Sequence, residues 1–228
     1  MKQYLSIATS VLLGCGVVSA SDFFYGGEYD GSILTFGIRA GFNTSNMADD
    51  DMGKLFNLDS WGTGFTGGVV AELHMRDWLV IQPGFFFESR SNNYSYVYDP
   101  KMFPNPAADL VELGHTRRTL FKLPVMCSIR MHPADCLTWS VDLGPVFNFG
   151  IAGHRWYSNP MKEPVVEQQI NYYDEFNRFM MGLKMGTGFQ LFDHYYIGVH
   201  YEAGLRSARK YKAGGHDKAW TFTLGYDF

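Results

Sequence analysis

Two histidine–carboxylate pairs are the residues of this sequence best suited to chemistry. His200 and Glu202 are two positions apart, as are Glu72 and His74, so each pair would share one face of an extended strand. A histidine that activates a nucleophile needs a hydroxyl within hydrogen-bond reach and a third group that orients the ring. The same-face neighbours of His200 are Gly198 and Glu202, with no serine in the local pattern. We therefore expect both pairs to join a polar network, with a membrane-embedded lipid A or phospholipid acyl-modifying enzyme as the alternative.

The remaining histidines and the cysteines do not form a metal-binding pattern. Cys127 and Cys136 lie on opposite faces of a predicted hairpin, so their side chains would not meet at disulfide distance. We expect two unpaired thiols, no metal and no cofactor. Four histidines fall in different turns and loops, without the spacing of two ligands on one strand face: His115, His154, His194 and His216.

Eight segments must position these groups, and each alternates apolar residues with polar or small ones. This period of two predicts a strand with one apolar face. The segments cover residues 32–43, 64–75, 79–90, 119–131, 137–151, 178–191, 195–206 and 220–228.

The connections between these segments alternate strictly between short and long. Three are tight turns, whereas four are longer polar stretches over residues 44–63, 91–116, 153–176 and 207–218. This places all tight turns at one end of an up-and-down meander, as in outer-membrane barrels with short periplasmic turns and long external loops. The sequence therefore predicts an all-β, eight-stranded antiparallel transmembrane β-barrel, in which the last segment pairs with the first.

The polar faces of the segments are rich in glycine and carry seven basic and four acidic residues. Such a balance is typical of an interlocked polar interior, whereas a soluble barrel would face its apolar side inward. Ion pairing should fill an eight-stranded lumen, with a small ion channel as the alternative. The predicted interior network, with its two histidines, consists of Arg39, Glu72, His74, Glu88, Arg90, Lys122, Arg130, Asp142, Arg178, Lys184, His200, Glu202 and Arg206.

Both termini carry features of export to the outer membrane. Lys2, an apolar run and the small residues up to Ala20 predict a signal peptide over residues 1–20, which leaves a barrel domain over 21–228. Acylation of Cys15 is an alternative reading of the same segment. The terminal Phe228 resembles the C-terminal aromatic signal recognised by outer-membrane assembly machinery.

Aromatic residues in two of the long connections could form a binding surface, because rigid scaffolds present binding residues on loops. The five residues are Tyr94, Tyr96, Tyr98, Trp156 and Tyr157. The alternating tyrosines also suit a strand that extends above the membrane, and the Trp–Tyr pair could belong to an interfacial girdle.

With several later motifs, the segment Phe36-Gly37-Ile38-Arg39-Ala40-Gly41-Phe42-Asn43-Thr44-Ser45 resembles the PorT-like outer-membrane β-barrel family of Bacteroidetes-type bacteria. The segment from Phe36 to Ser45 resembles its first strand, and Ile81-Gln82-Pro83-Gly84-Phe85 resembles its third, although Gly84 replaces a frequent glutamate. Further matches are Leu123-Pro124-Val125, Leu143-Gly144-Pro145 and the glycine spacing from Gly182 to Gly188. The resemblance implies a barrel without a catalytic motif, in a family where a few members are accessory parts of protein secretion.

The composition of the chain argues against some classes of protein and of binding partner. A net charge of −4 and a pI of about 5.9 argue against nucleic-acid binding, and 46% hydrophobic residues exclude a disordered chain. We expect a non-enzymatic outer-membrane protein with a structural, surface-binding or secretion-accessory role. Its expected partners are outer-membrane lipid, the assembly machinery and other envelope or secretion proteins.

Overall fold

A computed structural model describes residues 32–48, 56–57, 60–97, 111–158, 167–208, 210 and 216–228. The predicted signal peptide, Cys15 and Tyr98 lie outside these residues. The strands are β1 (Leu34–Ala48), β2 (Phe56–Asn57), β3 (Ser60–Arg76), β4 (Leu79–Val97), β5 (Val111–Ala134), β6 (Leu137–Ser158), β7 (Gln168–Asn171), β8 (Phe179–Leu191), β9 (Tyr195–Gly204) and β10 (His216–Asp227). One four-residue helix, α1 (Tyr172–Glu175), precedes β8.

Eight of these strands close into an antiparallel ring. The order runs β1-β3-β4-β5-β6-β8-β9-β10, and β10 pairs back to β1 from Gly37 opposite Asp227 to Ala48 opposite His216. The short β2 and β7 add to β4 and β6 outside this path. The predicted eight-stranded up-and-down barrel and its closing pair are confirmed.

The two ends of the barrel differ. Three tight turns lie at one end, hereafter the turn end, and in one of them Phe192 and Asp193 adopt positive φ angles of 52° and 61°. At the opposite, loop end, β4, β5 and β6 continue well past the apolar segments that predicted them. Their pairing reaches Val97 opposite Val111 and Leu113 opposite Ser158. These extensions carry Tyr94, Tyr96, Trp156 and Tyr157 as strand residues.

Apolar side chains cover the outside of the barrel, as a lipid-facing wall requires. Near the loop end, phenylalanines form an outer aromatic band, in which the Phe42 and Phe222 rings stack at 4.9 Å and those of Phe149 and Phe179 lie 5.0 Å apart. The band also contains Phe65, Phe87 and Phe121. A second group near the turn end includes Tyr195, Tyr226 and Phe228.

Two local features differ from expectation. Cys127 is free and exposed, but Cys136 is disulfide-bonded, so the prediction of two unpaired thiols is wrong for Cys136. The strand-face argument excluded only a bond between these two cysteines, and a free Cys127 agrees with it. No helix within the described part of the chain is long and apolar enough to span a membrane.

Candidate functional site

The barrel interior holds a charge-balanced network of buried side chains. Eleven of the thirteen residues predicted for it are buried there, and Arg118, Asp217 and Asp227 join them. Among the described residues this gives six basic and six acidic groups, and such burial is tolerable only when the charges are paired. The basic set is Arg39, Arg90, Arg118, Lys122, Arg130 and Lys184; the acidic set is Glu72, Glu88, Asp142, Glu202, Asp217 and Asp227.

Arg90 is the hub at the middle of the lumen. Its Nε donates to Glu88 Oε1 at 2.5 Å, its Nη2 to Glu202 Oε2 at 2.7 Å, and its Nη1 lies 3.4 Å from Asp217 Oδ2. These partners come from β4, β9 and β10, so a single guanidinium connects opposite walls of the barrel. The side chains of Arg90 and Glu88 are 0% exposed, so neither is in contact with solvent.

Neighbouring groups extend this hub. Lys122 forms ion pairs with Glu88 and with Glu202, the latter at 2.7 Å. Asn148 Nδ2 donates to the other oxygen of Glu202 at 2.6 Å, and Arg118 Nη2 donates to Asp217 at 2.5 Å. The carboxylates of the central cluster are therefore shared between two cations each, which satisfies most of their hydrogen-bonding capacity.

A second cluster surrounds Glu72 toward the turn end. Glu72 accepts from Arg130 at 2.5 Å and from Gln82 at 2.6 Å, and Arg39 Nη2 lies 3.4 Å away. Arg39 also donates to Asp227 at 2.6 Å. A cavity of about 260 Å³ opens beside this cluster, and its lining includes His74, His132 and His194.

His200 has a different partner from the one its sequence neighbourhood suggests. Its Nε2 lies 3.0 Å from Asp142 Oδ2, whereas Glu202 belongs to the Arg90 hub. Ser128 and Ser140 donate to the same Asp142 carboxylate, at 2.6 and 3.4 Å. The carboxylate therefore stands between the hydroxyls and the imidazole, and the imidazole is not placed to take a serine proton.

Lys184 is the buried cation that makes no ion pair with a described residue. Its side chain lies inside the barrel with Nζ 5.7 Å from the centroid of the Phe86 ring. This contact places the ammonium over an aromatic face, which attracts a cation electrostatically.

Aromatic side chains pack inside the loop end of the lumen in an aromatic cap. Tyr172 and Phe176 stack at 4.2 Å with an interplanar angle of 8°, and Tyr173 meets Tyr172 edge-on at 5.2 Å. Met180 and Ala208 complete this buried cluster. The cap is built on α1, whose first turn is capped by the Asn171 side chain accepting from Tyr173 N at 3.0 Å.

The cap is also tied to the charged interior. Arg118 Nη1 donates to the Tyr172 hydroxyl at 3.2 Å. Burial raises the pKa of the Tyr172 phenol well above its usual range, and it raises that of Tyr173 as well. Glycine makes room for the rings, because a Cβ at Gly150 would collide with Tyr173. Cap and network therefore form one continuous filling.

Two predicted interior residues, Arg178 and Arg206, are absent from the buried network. Both side chains are exposed, and each residue stands just beyond the end of a strand, Arg178 before β8 and Arg206 after β9. The alternation of faces holds only while strands remain paired, so it does not predict the exposure of these terminal positions.

The residues of the predicted loop surface lie on the strand extensions. The Trp156 ring stacks on His115 at 4.6 Å and lies 5.6 Å from His154, while the Tyr157 hydroxyl donates to Gln168 at 2.5 Å. Tyr94 pairs with Gly114, and Tyr96 pairs with Glu112, as residues of β4 and β5. The carboxyl-terminal Phe228 is exposed, and its backbone N donates to Phe36 O at 2.9 Å.

No metal centre is evident in the part of the chain that the structure describes. No three or more His, Cys, Asp or Glu side chains there are grouped so that they could hold a metal ion.

Comparisons with known proteins give a family. An outer membrane protein beta-barrel domain family model matches residues 30–209. No curated protein matches the chain significantly. Among solved structures, Ail, the attachment invasion locus protein of Yersinia pestis, in complex with the heparin analogue sucrose octasulfate, is similar at 15% identity and a TM-score of 0.40, covering 86% of this chain and 100% of that one.

Two further barrels are similar at comparable levels. Neisserial surface protein A shares 8% identity with a TM-score of 0.44, over 85% of this chain and 97% of that one. OprG from Pseudomonas aeruginosa shares 11% identity with a TM-score of 0.43, over 85% and 95%. The closed antiparallel ring and the family match together lead to one conclusion: the chain is a bacterial outer-membrane protein and belongs to the outer membrane protein beta-barrel domain family.

Proposed function

We propose that this barrel is a non-enzymatic protein that acts through its outer surface, as a binding or accessory component of the envelope. The observation that carries the proposal is the filled lumen. The Arg90 hub is buried in the middle of the lumen, and the aromatic cap packs inside its loop end. A barrel with this interior offers its extracellular strand extensions and its wall for function, since neither depends on passage through the lumen.

The arrangement around His200 argues against acyl transfer. Catalysis of that kind needs a hydroxyl that gives its proton to the imidazole, with the carboxylate on the far side of the ring. Here Ser128 and Ser140 donate to Asp142, and His200 also contacts Asp142. All four side chains are buried, so a lipid ester has no access to them.

The extensions of β5 and β6 are the surface that we assign to binding. On one face they carry Trp156 with the His115 and His154 rings, and on the other face Tyr157, whose hydroxyl donates to Gln168. Ring faces of this kind suit contact with a protein or a glycan, because they supply large apolar area together with polar edges. The PorT-like resemblance of residues 36–45 supports the narrower proposal that the partner is an envelope or secretion protein.

The first test asks whether the protein is an enzyme. Purified, folded barrel is incubated with lipid A or phospholipid, and acyl release or transfer is measured beside the His200→Ala variant. We expect no turnover from either protein. Turnover by the parent protein that His200→Ala abolishes would overturn the proposal.

The second test asks whether the extension of β5 and β6 contacts a binding partner. A photo-crosslinking aromatic residue replaces Tyr157 on the extension or, as a matched control, Phe85 on the lipid-facing wall, and both proteins are irradiated in native outer membrane. We expect a defined protein or glycan adduct at position 157 and lipid adducts alone at position 85. Lipid adducts alone at both positions would contradict a binding role for the extension.

A further inference from the structure

A small cavity lies inside the lumen between the two ion-pair clusters. Its volume is about 20 Å³, and Phe86 of β4 lines it. On one side of Phe86 along β4 stands Gln82, which belongs to the second cluster. On the other side stands Glu88, which belongs to the Arg90 hub. The cavity therefore marks a level of the lumen that neither cluster fills.

The lining of this cavity is basic. Its polar residues are Arg39, Gln82, Lys184, Tyr196, His200 and Thr223. None of the described residues that line it is an aspartate or a glutamate, whereas two of them are cations. Since like charges repel at short range, this lining disfavours a metal ion or an organic cation and favours an anion.

The Lys184 ammonium is the charge that this cavity leaves without a partner. Lys184 stands opposite Glu202 in the pairing of β8 and β9. That carboxylate is occupied by Arg90 and Lys122. Lys184 Nζ lies instead 5.7 Å from the centroid of the Phe86 ring, at the cavity. The residue is only 7% exposed, and it forms no hydrogen bond or ion pair with a described residue.

Pairing within the rest of the network leaves no carboxylate for Lys184. Five basic residues pair with five acidic ones in the hub and the second cluster. The sixth carboxylate, that of Asp142, accepts from Ser128 and Ser140. It also lies 3.0 Å from His200 Nε2. A buried charge without a counterion is strongly destabilising, so a mobile anion that neutralised Lys184 would bind here.

The size of the cavity limits the anion to a small one. About 10–15 Å³ is enough for one water molecule, so this cavity takes one particle of that size. A monatomic halide fits, whereas phosphate and sulfate are larger than the space. A water molecule would fit as well and would accept a hydrogen bond from Nζ, but it would not neutralise the ammonium.

We propose that Lys184 binds a single chloride ion in this cavity, as a buried counterion that completes the ionic filling of the lumen. The two clusters on either side of the cavity hold the ion in the folded barrel. This inference is independent of the binding surface proposed for the β5–β6 extension. It also assigns a partner to the one basic residue of the network that has none among the described residues.

The first test measures stability against chloride concentration. The full barrel is unfolded by urea in detergent while sodium chloride replaces sodium gluconate at constant ionic strength, which keeps charge screening constant. A ligand of the folded state alone lowers the unfolding equilibrium constant in proportion to its concentration once that exceeds Kd. We therefore expect a decrease of about tenfold for each tenfold rise in chloride. Lys184→Met should lose this dependence, and Lys218→Met, which removes an exposed lysine of β10, should keep it.

The second test locates the ion. Crystals of the parent protein and of Lys184→Met are grown with sodium bromide and measured at the bromine absorption edge. We expect an anomalous peak in contact with Lys184 Nζ in the parent protein and no peak at this place in the variant. If Lys184→Met does not fold, the map of the parent protein decides alone.

Three results would overturn the proposal. Equal stability of the parent protein in chloride and in gluconate would do so, as would a bromide map without a peak at Lys184 Nζ. A chloride dependence that Lys184→Met retains in full would assign the ion to another site.

Discussion

The middle of the lumen and its loop end are filled by side chains of opposite chemistry. The middle is filled by ion pairs around Arg90, whose partners come from strands on several sides of the barrel. The loop end is filled by the stacked rings of Tyr172, in the short helix α1, and Phe176, which directly follows that helix. The ionic filling is therefore part of the barrel wall, whereas the aromatic cap is an added local cluster. We expect substitutions in the ionic filling to destabilise the whole barrel, and substitutions in the aromatic cap to affect only the loop end.

The largest expected effect comes from Arg90→Met. It removes the cation shared by Glu88, Glu202 and Asp217 and leaves buried carboxylates uncompensated, which typically costs about 3–5 kcal/mol. Chemical unfolding of the barrel in detergent or lipid would measure this loss. Arg117→Met is the matched control on the exposed face of β5 and should change stability by no more than about 0.5 kcal/mol. Equal stability of the two variants would contradict a structural role for the hub.

Phe176→Ala should act mainly on the cap. Truncation of a buried phenylalanine costs up to about 3–5 kcal/mol in a tightly packed core, and less where a local cluster can collapse. We expect faster amide exchange at Phe176, whose N donates to Tyr172 O at 3.2 Å, with protection in β5 and β6 retained. If Phe176→Ala lowered the free energy of unfolding as much as Arg90→Met does, the cap would not be a local cluster distinct from the ionic filling.

A smaller effect is expected from His200→Ala. The change removes one partner of the buried Asp142 carboxylate and should cost about 1–3 kcal/mol in unfolding free energy. Ser140→Ala removes a longer contact, 3.4 Å, to the same carboxylate and should cost less. The reverse order in unfolding experiments would show that His200 does not anchor this cluster.

The smallest effect concerns the cap at alkaline pH. Burial raises the pKa of Tyr172 above that of a free phenol, so the folded cap holds this proton more tightly than the unfolded chain does. The contribution of the protonated Tyr172 phenol to folding stability is fully present below about pH 10 and is lost as the pH rises further. Tyrosinate absorbance against pH should show a late-titrating group that Tyr172→Phe removes. That variant loses the Arg118 hydrogen bond and should cost about 1 kcal/mol.

The barrel itself could be predicted from the sequence because lipid outside and charge inside impose a strict period of two. The closing pair of β1 and β10 follows from the same pattern, as does the burial of Arg39, Glu88 and Lys122. The physical cause is that a residue on a paired strand has only two directions available.

The alternation of apolar and polar residues no longer predicts the strands where their outward side chains leave the lipid. Above the aromatic band the outward residues no longer face lipid, so Arg117 and His115 give no apolar alternation and the extensions were assigned to loops. Asp217 lies in one of the predicted loops, and Arg118 lies just before the segment that begins at residue 119. The sequence analysis therefore missed both, although they form an ion pair inside the network. Asp227 occupies the polar face of the last predicted segment, so the alternation itself could have identified it. The four residues of α1 are too few for a helical period, and the contacts of Asp142 join strands distant in sequence.

The most direct test of a filled lumen is electrical. Purified protein is inserted into a planar lipid bilayer, and single-channel current is recorded for the parent and for the Arg39→Ala and Glu202→Ala variants. We expect no reproducible unitary conductance from the parent protein, because the Arg90 hub and the aromatic cap both fill the lumen. A reproducible unitary conductance in the parent, altered by either substitution, would contradict it and would assign the interior charges to an ion path.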